Sequence, residues 1–446
     1  MFTTPEMAAI FAPAAHIRQM LAFEAALARA EAAAGVIPTA AVEPIAAACR
    51  RDDFDSAAIY AEAAVAGTPA IPLVRQLRAR VAGDAANYIH LGATSQDAID
   101  SAAMLQMRAG LNLLLADLLA LGAHGATLAQ EHRRTLQAGR TLLQHALPIT
   151  FGLKAARWLA LVTRQIQALR QVCDQSLALQ FGGAAGTLAA LGDAGPRVAE
   201  LLAAELGLPL PDMPWHAERD RIAAIAAAVG IAAGSVVKIA HDIVLLAQTE
   251  VGEVAEEAAA GKGGSSTLPH KRNPVDAMQA LAAARLATGV VPVVLSALAQ
   301  EHERAIGGWQ AEWAAMPDLF RYAAGAIAHT RQAVLGLQVD PQRMRANLDL
   351  SGGLVMAEAL TLALAEQLGR SEARRIVQEV CDLARTDGSS LRQAAHDNPR
   401  ISAAMSSDAI DQALDPATYL GSADALIDRA LASYRDVAEP ESSSIG

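Results

Sequence analysis

Two adjacent serines, a histidine, a lysine and an arginine stand together in GKGGSSTLPHKRNPVDAM (Gly261 to Met278), within a chain otherwise dominated by alanine and leucine at helical spacing. A serine becomes a base or nucleophile only where its alkoxide is stabilised, and His270, Lys271 and Arg272 supply cationic surroundings for Ser265. Gly261, Gly263 and Gly264 give the backbone freedom that a loop needs. Asn273, Pro274 and Asp276 have the residue types of N-cap, N1 and N3 at a helix start. The cationic cluster is therefore expected just ahead of a helix N-terminus, where side chains and dipole together attract an anion. On residue types alone, a solvated connector ending in an N-cap fits the same stretch equally well.

The elements that must position such a loop are helical. Of 446 residues, 53% are hydrophobic and only 4% aromatic, so small, helix-favouring side chains make up the core. A prior of about 150 residues per domain gives two to four domains. The net charge of -11 argues against nucleic-acid or anionic-membrane partners, while leaving room for a local cationic pocket that takes a small acidic substrate. Cys49, Cys173 and Cys381 lie far apart without metal-ligand spacing, as expected of a reduced, cytoplasmic protein. No His, Asp or Cys spacing implies a metal, and no nucleotide-cofactor motif occurs. The N-terminus shows no secretory pattern. Ile222 to Val237 is uncharged, but shorter than the roughly 20 residues that span a bilayer, so it reads as a buried bundle helix.

Along the chain, AAHIRQMLAFEAALARAEAAAGVIP reads as one amphipathic helix stopped by Gly35 and Pro38. NYIHLGATSQDAIDSAAMLQM reads as a loop entering a helix capped by Thr94, Ser95 or Asp97. Long helices are expected over Leu111 to Gln137, Ile149 to Leu179, Arg221 to Ala259 and Asp276 to Glu303, with Pro292 a possible kink. Their apolar faces need cover, which predicts an oligomer. The polar end EPESSSIG reads as frayed.

GSSTLPHKRNP resembles the signature of the fumarase/aspartase superfamily, whose members make and break carbon–heteroatom bonds next to a carboxylate. HLGATSQDAID (His90 to Asp100) and GRTLLQHALPITFG (Gly139 to Gly152) resemble its other two regions, in the expected order. The likeness runs from about Ile17 to about Arg375. It implies an all-α fold of three helical domains (1–110, 111–355 and 356–446) with a central bundle of long helices. It also implies a homotetramer whose sites are built from several subunits. It maps Ser265 onto the catalytic base, Lys271 and Asn273 onto substrate-binding residues, and Thr94 and Ser95 onto hydroxyls that bind a substrate carboxylate. His90 matches a histidine close to the substrate.

One position departs from that pattern. Many relatives read G-R-T-H-x-Q and use the histidine in proton transfer, whereas this chain has Leu142 there, with His145 three residues on as the nearest substitute. A leaving amine or alkoxide needs a general acid, and a leaving carboxylate, with a conjugate acid near pKa 4, hardly does. Leu142 therefore suits a branch of the superfamily in which a carboxylate of the same molecule attacks or leaves. FEAALARAEAAAGVIP, LQFGGAAGTLAALG, PWHAERDRIA and QEHERAIGGWQAEW resemble that branch. A tricarboxylate substrate calls for several donors, here Arg304, Lys271, Arg140 and Arg219. Trp309 and Trp313 offer flat walls for a conjugated system, or ordinary packing. Glu312 reads equally as a solvated charge, His302 as a satisfied core histidine and His216 as a residue that caps or hydrogen-bonds in a loop. A fumarate-releasing lyase of the adenylosuccinate type and a catalytically silent homologue are the alternatives.

Overall fold

The computed structural model describes residues 1–258, 262–264 and 267–439; Ser265, Ser266 and the end of the polar tail lie outside them. The first long helix, α1 (Pro13–Ala33), begins with proline at N1, and Gly35 follows its end with φ 75°. Its inward stripe of Ile17, Met20, Leu21, Glu24, Ala28 and Glu31 carries two buried glutamates at apolar positions.

The helix α2 (Ser95–Glu131) fuses the two helices expected between residues 95 and 137 and stops six residues early. It stops because the chain reverses into a hairpin, β1 (Leu136–Thr141) and β2 (Gln144–Thr150), paired antiparallel. The next helix, α3 (Phe151–Ser176), starts directly after it, with the Thr150 hydroxyl accepting the Leu153 N–H at 3.0 Å. The next, α4 (Asp220–Leu246), ends well before Ala259, since Val254–Glu256 (β3) pairs with Leu337–Val339 (β4). Helix α5 (Val275–Ser296) passes through Pro292, and α6 (Gly308–Leu335) through Pro317. Shorter helices follow from Ala357 to Ala438, so the all-α expectation holds, with two small two-stranded sheets among the described residues, one a hairpin and one joining remote segments.

The chain divides into two compact units. One comprises Met1–Leu118, Gln165–Val237 and Gln279–His329; the other Leu119–Arg164, Lys238–Met278 and Thr330–Gly446. In the first, Ile17, Met20, Ile45, Ile59, Leu73, Leu77 and Ile99 form part of the core. In the second, Leu360, Leu364, Ile376, Val380, Leu391 and Ile401 do so. Small residues let helices approach closely: a Cβ on Gly230 of α4 would sit 2.3 Å from the Val291 side chain of α5. Ile222 to Val237 is not a short segment but part of a 27-residue helix. Together with α2 and α5 it is long and apolar enough to cross a membrane by length and composition. Its inward face buries Ala226, Val229, Ala233 and Val236 completely.

Glu31 has no exposed surface, and burial, reinforced by Glu24, pushes its carboxyl up to about 9 from 4.5. The folded chain then holds a proton that the unfolded chain loses above about pH 4.5, so stability drops as pH rises through that window. Glu31→Gln is expected to flatten the fall of melting temperature between pH 5 and pH 9, which thermal scans across that range check.

Candidate active site

The start of α2 gathers the first group of residues. Asp97, at the third helical position, accepts the Thr94 N–H on Oδ2 at 3.0 Å, which closes one half of a capping box. The same carboxylate, fully buried, accepts the Gly182 and Gly183 N–H groups at 3.1 and 2.9 Å and the Gln180 side chain at 3.1 Å. It also pairs with His216 Nε2 at 2.8 Å, so His216 takes the second of its two expected roles, a hydrogen bond from a loop, and is buried there. Gln96 donates to Asp100 at 3.1 Å and to the His216 carbonyl at 2.8 Å, and its Oε1 accepts Arg304 Nε at 3.0 Å. Arg304 also donates to the Ala184 carbonyl at 3.1 Å. His90 stands just before this helix with φ 61°, and its Nδ1 lies 2.6 Å from Glu24 Oε1. His90, Thr94, Ser95 and Arg304 thus come together in the first unit.

Beneath them, Arg219 lies between two buried carboxylates, Asp100 at 2.7 Å and Glu312 at 2.5 Å. Burial opposes its charge, but the two carboxylates outweigh burial and raise its pKa. This pairing consumes Arg219, which corrects its assignment as a substrate donor, and it shows Glu312 to be a buried ion-pair partner and not a solvated charge. Trp309 is 2% exposed and gives its indole N–H to Asp100 at 2.9 Å. It packs in the core of its unit, so the structure corrects the reading of Trp309 as a substrate wall: no face of the ring is open in that unit. Trp313 meets it edge-on, with ring centroids 4.8 Å apart. His302 is exposed, with φ 49°, and so is not a core histidine.

The second group belongs to the other unit. Arg140 of β1 forms a two-pronged ion pair with the fully buried Glu253, at 2.5 and 3.1 Å. Gln137 and Asn347 donate to the same carboxylate at 2.7 and 2.9 Å. His145 of β2 faces Arg140 in the register. Burial, and then the Arg140 charge, lower its pKa against the pull of Glu253, so it is neutral at neutral pH. Between the strands, Leu142 and Leu143 form a two-residue turn with φ 51° and 64°, 97% and 73% exposed. Such turns favour Asn-Gly, and each left-handed leucine costs about 1–2 kcal/mol. Lys154, on α3, has its pKa lowered by burial and by Lys238, Arg140 and Arg157, against Asp242.

In the loop ahead of α5, Lys271 is exposed and its backbone N–H bonds to the Leu268 carbonyl at 3.1 Å. The Asn273 backbone and side-chain N–H groups both donate to the Gly263 carbonyl, at 2.9 and 3.2 Å. Gly263 has φ 72°, and a Cβ there would lie 2.7 Å from the Asn273 carbonyl oxygen, so the pinch requires glycine. Asn273 closes this loop and does not cap the helix. The cap comes from Glu256, whose carboxylate accepts the Asp276 and Ala277 N–H groups at 3.1 and 2.8 Å. An anion of the protein's own therefore occupies the helix start that the sequence assigned to a substrate anion, and Lys262 pairs with Glu256 and Asp276 beside it.

Sequence reasoning missed Glu24, Asp100, Glu253, Glu256 and Lys154 as organising groups and saw Asp97 only as a candidate helix cap. Glu24 and Glu31 were detectable, since they fall on the apolar stripe of α1 seven residues apart. Glu253 and Glu256 gave no such signal, because their partners are remote in sequence.

A family model described as lyase matches residues 2–289, and one described as adenylosuccinate lyase C-terminus matches 353–430. The chain belongs to this lyase family, the fumarase/aspartase superfamily. Among individual relatives, it is 49% identical to the 3-carboxy-cis,cis-muconate cycloisomerase of Pseudomonas aeruginosa, over 97% of this chain and 95% of that protein. It is 50% identical to the enzyme so named in Bradyrhizobium diazoefficiens, over 93% of each. The crystal structure of 3-carboxy-cis,cis-muconate lactonizing enzyme from Pseudomonas putida superposes with a TM-score of 0.93 at 44% identity, covering 98% of both chains.

Proposed function

We propose that this chain interconverts 3-carboxy-cis,cis-muconate and 4-carboxymuconolactone, a step of aromatic catabolism in the protocatechuate branch of the β-ketoadipate pathway. The observation that carries the reading is Leu142. The hairpin tip where many relatives keep a proton-transferring histidine is an exposed, left-handed leucine, beside a neutral His145. Such a site has little to offer a leaving amine, and a leaving carboxylate asks for little.

A carboxylate oxygen of the substrate adds across the conjugated double bond. Negative charge then builds on the acceptor carboxylate, and Lys271, Thr94 and Ser95 stabilise it. Arg304, His90 and Asn273 help to hold the three carboxylates, and so does Arg140, which unlike Arg219 stays part-exposed (21% against 2%) beside its buried partner Glu253. Ser265 delivers the proton to carbon, and by microscopic reversibility removes it when the lactone opens. Its alkoxide is stabilised by the cationic run from His270 to Arg272. His145 is the competing proton carrier, and its neutral state favours accepting a proton in the lactone-opening direction. No metal or other cofactor enters this scheme. The reaction run in deuterium oxide is expected to give lactone with one deuterium at carbon and no fumarate by NMR. Unchanged tricarboxylate, with fumarate released instead from adenylosuccinate or another succinyl adduct, would move the assignment to the adenylosuccinate type of lyase.

The same reading makes the protein a soluble, cytoplasmic homotetramer of three helical domains, 1–110, 111–355 and 356–446. Exposed Leu286 and Val293 on α5 support the oligomer, because apolar side chains exposed on one helix face need cover. Leu286 and Val293 are seven residues apart on one face. Replacing both with glutamate is expected to shift the mass measured by light scattering from about four chains towards one or two. An unchanged mass would remove this face from the interface.

A further inference from the structure

Glu24 is a carboxylate without an evident structural task. It lies on the apolar stripe of α1, 2% exposed, and its Oε2 has no hydrogen-bond partner among the described residues. Its other oxygen, Oε1, lies 2.6 Å from Nδ1 of His90. His90 in turn is held at φ 61°, a conformation that residues other than glycine rarely adopt and that tends to persist where function requires it. A buried carboxylate and a strained histidine in contact are costly features, and each accounts for the other.

We propose that Glu24 is a positioning residue for His90: it accepts the Nδ1–H, fixes the ring, and holds the imidazole as a cation whose Nε2–H is left for a substrate carboxylate. The tautomer of a histidine is set by the bond its other nitrogen makes, so the Glu24 contact dictates what Nε2 presents. Three charged groups face the ring. They are Glu24 from α1, Arg78 from the Ala70–Arg80 helix and Asp97 from the start of α2. Arg78 is engaged by the Ile89 carbonyl at 3.0 Å, and Asp97 by His216 and the backbone of Gly182 and Gly183. Only Glu24 bonds to the ring among the described residues. Burial works against the charged imidazole, but Glu24, helped by Asp97, outweighs it, and the His90 pKa is raised.

Glu31 fits the same arrangement. Two buried carboxylates seven residues apart on one helix repel, and the one without a cationic partner is the one that keeps its proton. Both Glu31 oxygens lack hydrogen-bond partners among the described residues, and its pKa is pushed up to about 9. Glu31 is thereby kept neutral and does not compete with Glu24 for the His90 ring.

This inference rests on the proposed role of His90 beside the substrate, and its test separates the two. Glu24→Gln and Glu24→Asp are compared with the full-length wild type by NMR titration of the His90 Cε1–H, assigned with His90→Gln, and by the pH profile of kcat/KM. In Glu24→Gln the His90 midpoint is expected to fall by about one pH unit or more, because burial and the Arg78 charge are then opposed by Asp97 alone. The alkaline limb of kcat/KM should move down with it. The loss near pH 8 should be about tenfold or more, mostly in KM, and should shrink towards pH 6. Glu24→Asp should restore part of both. A merely structural glutamate would lower the melting temperature and leave the midpoint and the limb in place, and that result overturns the proposal. Wild type that leaves the tricarboxylate unchanged contradicts the functional reading alone, since the His90 midpoint still decides whether Glu24 holds the ring.

Discussion

Replacing Ser265 with alanine should lower turnover of 3-carboxy-cis,cis-muconate by about two to four orders of magnitude, the usual worth of a positioned proton-transfer group. The expectation follows from the loop chemistry. The cationic run His270, Lys271 and Arg272 is the feature that makes a serine alkoxide accessible, and the pinch between Gly263 and Asn273 fixes the base of the loop that carries the serine. The described residues around Ser265, Gly264 and Thr267 to Arg272, are exposed, so removing one hydroxyl should leave the melting temperature and the oligomer unchanged. Ser266→Ala is the control and should cost far less. If Ser265→Ala retains near-normal turnover, the proton passes to another group, and His145→Gln becomes the variant that should abolish it. Steady-state rates on the three variants decide the matter.

Arg219→Met is expected to be the most damaging change to stability, costing about 3–5 kcal/mol. It leaves Asp100 and Glu312 buried without their shared cation, and breaking a buried pair costs more than removing the whole of it. The network reaches further than the triad, because Asp100 also accepts from Gln96 and from the Trp309 indole. Losing the guanidinium should therefore disturb the start of α2 and the α6 helix together. Adding Asp100→Asn and Glu312→Gln to Arg219→Met should recover a large part of the loss, since neutral amides need no counter-ion. Denaturant midpoints of the single and triple variants measure this, and a single variant as stable as wild type would show that the triad is not the keystone of its unit.

The sequence was most legible where a signal was local. The helix start at Ser95, the stop near Gly35 and the cationic loop all rest on residues within a few positions of one another; the structure places the first two as expected, and the described residues Thr267 to Arg272 just ahead of a helix. It was least legible where a partner lay far along the chain. Asn273 has the right type for an N-cap, but Glu256 takes that role and leaves Asn273 to hold Gly263. Arg219 and Trp309 have the types of a tricarboxylate pocket, but Asp100 claims both. The helix expected to run from Leu111 to Gln137 ends at Glu131, since strand pairing across Leu142 and Leu143 overrides the helical periodicity of the last residues. Leu142 shows the converse. Its departure from the superfamily pattern is visible in the sequence, and its place at an exposed, left-handed turn is not.

The most direct test of the central claim is the ultraviolet absorbance of 3-carboxy-cis,cis-muconate mixed with the purified protein and excess chelator, with no nucleotide added. The account predicts rapid loss of the diene band as the lactone forms, with Ser265→Ala nearly inert in the same cuvette. A band that persists with wild-type protein, while adenylosuccinate or another succinyl adduct releases fumarate, would contradict it.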